Sequence, residues 1–67
     1  MSLKEINRRY YRNMMRIRSI EAEITRVPPF SEEFETLVKE SLRLQEEQKE
    51  LGADRAKEMQ ELYERVN

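Results

Sequence analysis

The sequence predicts an all-α fold: an antiparallel helical hairpin that associates into a helical bundle or coiled coil. Three observations lead to this prediction. Apolar residues recur at alternating three- and four-residue intervals in the first 27 positions, charged residues make up 40% of the 67-residue chain, and two adjacent prolines interrupt the pattern. Dense charge with so few helix breakers is typical of long solvated helices. The apolar interval is that of a heptad seam along one side of a helix.

The first helix is expected over about residues 2–27. Ser2 can accept a hydrogen bond from a free N–H group of the first turn, and Glu5 completes a capping box. The helix is expected to end near Val27, because Pro28 disfavours the helical conformation at the residue before it. The seam of this helix contains Leu3, Ile6, Tyr10, Asn13, Ile17, Ile20 and Ile24.

The turn at Pro28-Pro29 is short, so the second helix is expected to return antiparallel to the first. Ser31 is the expected N-cap of this helix, which spans about residues 31–66. The whole chain, residues 1–67, is therefore expected to form one helical-hairpin domain. The seam of the second helix contains Phe34, Leu37, Leu44 and Leu51, with Ser41 and Gln48 at the intervening positions.

Gly52 marks a change of register in the second helix, and two interpretations of it are open. Gly52 can end the helix as a C-cap, with a short third helix after it. It can also lie inside one continuous helix at a cost of about 1 kcal/mol. The helix-forming residues between Glu47 and Glu64 favour the continuous helix. The apolar residues after Gly52 are one position out of phase with those before it: Ala56, Met59, Tyr63 and Val66.

Asn13 occupies a position of the apolar seam. A buried amide in a helix seam needs a polar partner, and its best-known effect is to determine register and oligomeric order. In one interpretation Asn13 is buried and bonds to Gln48 or Ser41. In the other, the seam rotates locally, Met14 takes the position and Asn13 is exposed to solvent.

Self-association, or docking on a larger protein, is the expected state of the hairpin. Two helices share one seam, which leaves both flanks of each apolar stripe half exposed. Ordering the chain costs about 1.5 kcal/mol per residue, so burial of those flanks against further helices is needed for stability. A homo-oligomer or a complex with a larger protein is therefore predicted.

The composition argues against catalysis. The chain has no Cys and no His, which excludes disulfides, thiolate chemistry and acid–base catalysis by histidine. Neighbouring carboxylates on the second helix, such as Glu46 and Glu50, are interpreted as solvated surface rather than as an acid–base or metal site. No enzymatic activity, cofactor or metal is predicted. No apolar run approaches the roughly 18 residues needed to cross a bilayer, and no signal-peptide core is evident, so a cytoplasmic location is expected.

The candidate binding residues lie on the side of the first helix opposite the seam: Arg8, Tyr11, Arg12, Met15 and Arg18. Residues 1–27 contain seven basic and three acidic residues, whereas residues 28–67 contain six basic and eleven acidic ones. Three interpretations are open. A broad bundle core can absorb Tyr11 and Met15, a protein partner can bind them, or the arginines can contact nucleic acid. The sequence therefore predicts an adaptor or regulator that acts by protein–protein interaction, with a nucleic-acid-binding bundle as the alternative.

Overall fold

Two antiparallel helices account for the fold of residues 1–66, the part of the chain that the computed structural model describes. Helix α1 spans Leu3–Ile24 and helix α2 spans Glu32–Val66. Together they form a rod 54 Å long and 15 Å by 14 Å across. The predicted all-α antiparallel hairpin is confirmed. In residues 1–66 neither helix is long and apolar enough to cross a membrane.

Helix α1 begins at the predicted N-cap and ends earlier than predicted, and the carboxylate of Glu5 does not complete the predicted capping box. The N–H of Glu5 donates to Ser2 Oγ at 3.3 Å, which is the hydrogen bond of an N-cap. The helix ends at Ile24 rather than near Val27. Thr25 Oγ1 donates to the carbonyl of Ala22 at 2.8 Å, so the last turn is closed by a side chain. Pro28 disfavours the helical conformation at the preceding residue, and the chain leaves the helix before it reaches that residue.

The connection between the helices is held by Ser31 and by a strained residue before it. Ser31 Oγ donates to the carbonyl of Pro28 at 2.8 Å and accepts from the N–H of Phe34 at 3.2 Å, which confirms Ser31 as the N-cap of α2. Phe30 has φ 63°, the left-handed region that non-glycine residues rarely adopt. Its ring lies 5.9 Å from the ring of Phe34, a contact that resembles a hydrophobic staple.

Helix α2 is continuous through Gly52, so no third helix forms. The backbone of Gly52 does not have a positive φ, and a Cβ atom added there would meet no other atom within 4 Å. Nothing in the hairpin therefore requires a glycine at this position. Of the two interpretations left open by the sequence, the continuous helix is the correct one.

The core is a single row of side chains between the helices. Its fully buried members are Ile6 and Ile20 of α1, which are 1% and 0% exposed, and they lie against α2. The other buried positions of the seam are Asn13, Leu37, Ser41, Leu44 and Leu51. Leu3, Tyr10, Ile17, Ile24 and Phe34 are half buried. The half-buried residues lie at the flanks of the seam, where a two-helix fold has no third element to cover them.

Asn13 is buried, at 8% exposure, so the interpretation in which it faces solvent is wrong. Its expected hydrogen bonds are also absent. Gln48 Nε2 donates instead to the backbone carbonyl of Tyr10 at 3.1 Å, and Ser41 Oγ accepts from Gln45 at 3.0 Å. Two buried polar atoms among residues 1–66 are left without a hydrogen-bond partner, namely Asn13 Nδ2 and Gln48 Oε1.

Candidate protein-binding surface on helix α1

The five candidate binding residues share the side of α1 that faces away from α2. We call this set, Arg8, Tyr11, Arg12, Met15 and Arg18, the outer face. All five side chains are exposed, and the two apolar ones, Tyr11 and Met15, keep 64% and 60% of their surface in contact with solvent. The hairpin therefore does not absorb Tyr11 and Met15 into its own core.

The outer face is presented on a regular helix that is held from the opposite side. Ile6, Asn13 and Ile20 are the buried residues of α1, and they recur every seven residues along the seam. Side chains of an α-helix that are three or four residues apart lie on the same face. The helix therefore holds Tyr11 and Met15 one turn apart without any contribution from loops.

The arginines of α1 differ in their electrostatic surroundings. Arg16, which is not part of the outer face, makes a bidentate pair with Glu40 of α2, with Nε and Nη2 each 2.9 Å from a carboxylate oxygen. Its Nη1 atom lies 3.7 Å from Glu23. The hydrogen bond from Arg16 lowers the pKa of Glu40, and the same bond raises the pKa of Arg16. Both groups are therefore held in their charged forms.

No carboxylate of residues 1–66 forms an ion pair with the three arginines of the outer face. The acidic excess of α2 is thus not used to neutralise Arg8, Arg12 and Arg18. Arg16 and Glu40 were not singled out from the sequence, since either could have been solvated surface. The hairpin register, which brings positions 16 and 40 together, is the information that was missing.

Next to the outer face, a shallow depression separates the two helices. It is lined by Asn7, Tyr10, Tyr11 and Met14 of α1 and by Arg55 of α2. Tyr11 thus belongs both to the outer face and to the edge of this depression. The half-buried ring of Tyr10 and thioether of Met14 line this depression, so the apolar surface continues from the outer face toward α2.

The carboxylates of the described chain are not arranged as a metal site: no group of three or more Asp and Glu residues in residues 1–66 could hold a metal ion. The depression lined by Glu46, Glu47 and Glu50 also contains Arg9 and Arg43. Opposite charges are therefore interleaved there.

Comparisons with known proteins give no relative. No protein-family model matches the chain, and no curated protein or solved structure is detectably similar to it.

Proposed function

We propose that this chain is a non-enzymatic adaptor or regulator that binds another protein through the outer face of α1 and also associates with itself. The observation that supports the binding role is the exposure of Tyr11 and Met15, one turn apart, within a row of arginines that have no acidic partner in residues 1–66. Tyr, Met and Arg are the residue types enriched at protein interfaces.

The apolar pair is the expected source of binding energy. A few buried aromatic and aliphatic anchors carry most of the affinity of an interface, whereas charged residues at its rim contribute little. Tyr11 and Met15 each leave more than half of their surface in water. Burial of that surface yields about 25 cal/mol per Å². If the outer face only contacted water, Tyr11 and Met15 would contribute no binding free energy.

The arginines indicate the chemistry of the partner. Guanidinium groups form bidentate pairs with carboxylates, as Arg16 does with Glu40 inside the hairpin. Arg8, Arg12 and Arg18 are available for the same contact with another molecule. The partner is therefore a protein surface that offers an apolar groove for Tyr11 and Met15 and carboxylates at the rim of that groove.

Two sets of substitutions test this proposal against binding to a polyanion. Tyr11→Ala with Met15→Ala removes apolar contact and keeps the charge. Arg8→Gln, Arg12→Gln and Arg18→Gln remove three charges and keep helix-forming side chains. The measurement is the affinity of each variant for the molecule that copurifies with the chain from its native cell. The apolar double variant should lose most of the binding to a protein partner, because it removes the buried anchors.

Matched controls lie on α2. Leu42→Ala removes an apolar side chain that is 59% exposed, and Lys39→Gln, Arg43→Gln and Lys49→Gln remove three exposed charges. Both controls should leave binding unchanged. The proposal is wrong if the apolar double variant binds as wild type does. Loss of binding with the arginines alone, with affinity that falls steeply between about 50 and 200 mM salt, would instead indicate nucleic acid.

A further inference from the structure

Helix α2 extends well beyond the start of α1. The two helices contain 35 and 22 residues, so α2 is longer by about 20 Å at 1.5 Å per residue. The contacts of Tyr10 with Gln48 and of Arg16 with Glu40 place Leu3 opposite about residue 54. The last buried residue of α2 is Leu51. We call residues 56–66 of α2, which lie beyond this point, the overhang.

The overhang carries a row of apolar side chains that α1 leaves exposed, and the change of register at Gly52 rotates this row to one side of the line of Leu44 and Leu51. Met59, Leu62 and Val66 follow at intervals of three and four residues, and they are 51%, 44% and 85% exposed. Tyr63, beside them, is 70% exposed. Four large apolar side chains on one face of an otherwise charged segment are typical of a helix that packs against another helix.

We infer that the overhang packs against the overhang of a second copy of this chain. The two helices run antiparallel, and a twofold axis that passes between residues 60 and 61 relates them. This inference rests on the self-association included in the proposed function and assigns it a surface separate from the outer face. In this arrangement Met59 packs against Leu62 of the second copy, and the twofold axis repeats the contact. Val66 packs against the aliphatic part of Arg55 of the second copy.

The charges beside the seam are complementary only in the antiparallel orientation. The twofold axis brings Glu58 opposite Arg65 of the second copy, and it does so twice. On the other side of the seam, small Ala56 comes opposite large Tyr63 of the second copy. In a parallel pair, residues of one flank face the opposite flank of the second copy, so Glu58 would face Tyr63 and the Glu58–Arg65 contact would be lost. Charged residues at such flanking positions decide the orientation of helix pairs.

The ends of the helices also fit this arrangement. Val66 of the second copy reaches the level of residue 55, next to the start of α1 at Leu3. The N-terminus of α1 carries a partial positive charge and the C-terminus of α2 a partial negative one, so the two ends attract each other.

The contact is small, so the dimer is weak. The overhang is about a third of α2, and its paired surface is well below the roughly 800 Å² that each partner buries in a standard stable interface. We therefore expect sedimentation equilibrium over about 5–500 µM to show a reversible rise of mass from the 8.2 kDa of one chain to twice that value.

Charge reversal tests the orientation. Glu58→Arg alone and Arg65→Glu alone each put like charges opposite one another twice, and each should weaken the dimer about three- to tenfold. The double variant restores opposite charges and should dimerise as wild type does. Positions 58 and 65 are two helical turns apart and do not contact each other within one chain, so rescue reports on contact between copies.

Leu62→Glu should leave the chain monomeric over the whole range, and Gln60→Glu, on the solvated side of the overhang, should not. Helicity by circular dichroism should stay near the wild-type value in every variant. A monomer at all concentrations, unchanged dimerisation in Leu62→Glu, or a double reversal without rescue would overturn the inference.

The two surfaces can be tested separately. Leu62→Glu should still bind the copurified protein. The double variant Tyr11→Ala with Met15→Ala should lose that binding and still dimerise. Failure of the inference and failure of the proposed function are therefore distinguishable.

Discussion

Replacement of Asn13 by Leu should make the hairpin more stable, although it removes a polar side chain from the middle of the seam. Asn13 is 8% exposed, and its Nδ2 atom has no hydrogen-bond partner. Leucine has the same number of side-chain heavy atoms and branches at the same carbon, and although it is larger it carries no group that needs a partner. It is also the residue type found at Leu37, Leu44 and Leu51 on the facing helix.

The size of the effect follows from the burial of the amide. A buried polar group without a partner costs about 1–3 kcal/mol by mutational measurements. Removal of that cost should raise the free energy of unfolding by about 1–3 kcal/mol. For a domain of this length, 1 kcal/mol corresponds to about 4–8 °C in Tm. Part of the gain comes from helix propensity, in which Leu exceeds Asn by a few tenths of a kcal/mol.

The assay is thermal and urea unfolding followed by circular dichroism at one fixed protein concentration, because self-association makes Tm concentration-dependent. Asn7→Leu is the matched control, since Asn7 lies on the same helix but is only half buried. Asn7→Leu brings the same gain in helix propensity but removes no buried donor that lacks a partner. It should therefore raise the free energy of unfolding by less than Asn13→Leu does.

The orphaned acceptor at Gln48 Oε1 provides the decisive comparison. If Asn13 bonded to Gln48 in solution, Asn13→Leu would strand Gln48 and lower the stability. The double variant with Gln48→Leu would then be more stable than the sum of the two single changes predicts. A drop in Tm for Asn13→Leu, or a gain no greater than that of Asn7→Leu, would refute the reasoning.

Two further predictions concern α2. Gly52→Ala should raise the free energy of unfolding by about 1 kcal/mol, because alanine is the better helix former and the added Cβ meets no atom within 4 Å. Urea titration measures this change. A loss of stability would show that another copy's backbone approaches this position closely. Glu40→Gln should lower Tm at pH 6, and this decrease in Tm should become smaller as the pH falls toward 3. The fold lowers the pKa of Glu40 below its ordinary value of 4.5, so the stabilisation is complete above that value and is lost as the pH falls through the folded pKa. Glu46→Gln, an exposed carboxylate on the same helix, is the control, and a Tm difference for Glu40→Gln that is constant across this pH range would contradict the prediction.

The architecture could be predicted from the sequence because local rules determine it. The heptad interval defines the seam of α1, the two prolines end the helix before them, and Ser31 caps the helix after them. The position of Tyr11 and Met15 opposite the seam also follows from spacing alone. Their exposure does not, because the spacing left open whether a broader core covers them, and in the hairpin no element does. The features that could be predicted depend on residues close together in the chain.

Features that depend on how the two helices align could not be predicted in this way. The partner of Gln48 is a backbone carbonyl of the other helix, and the partner of Arg16 is one carboxylate among many on α2. The overhang exists because α1 starts opposite about residue 54, so the apolar side chains of α2 are covered as far as Leu51 and uncovered after it. A repeat in the sequence specifies which face of a helix is apolar, but only the tertiary alignment decides what covers that face.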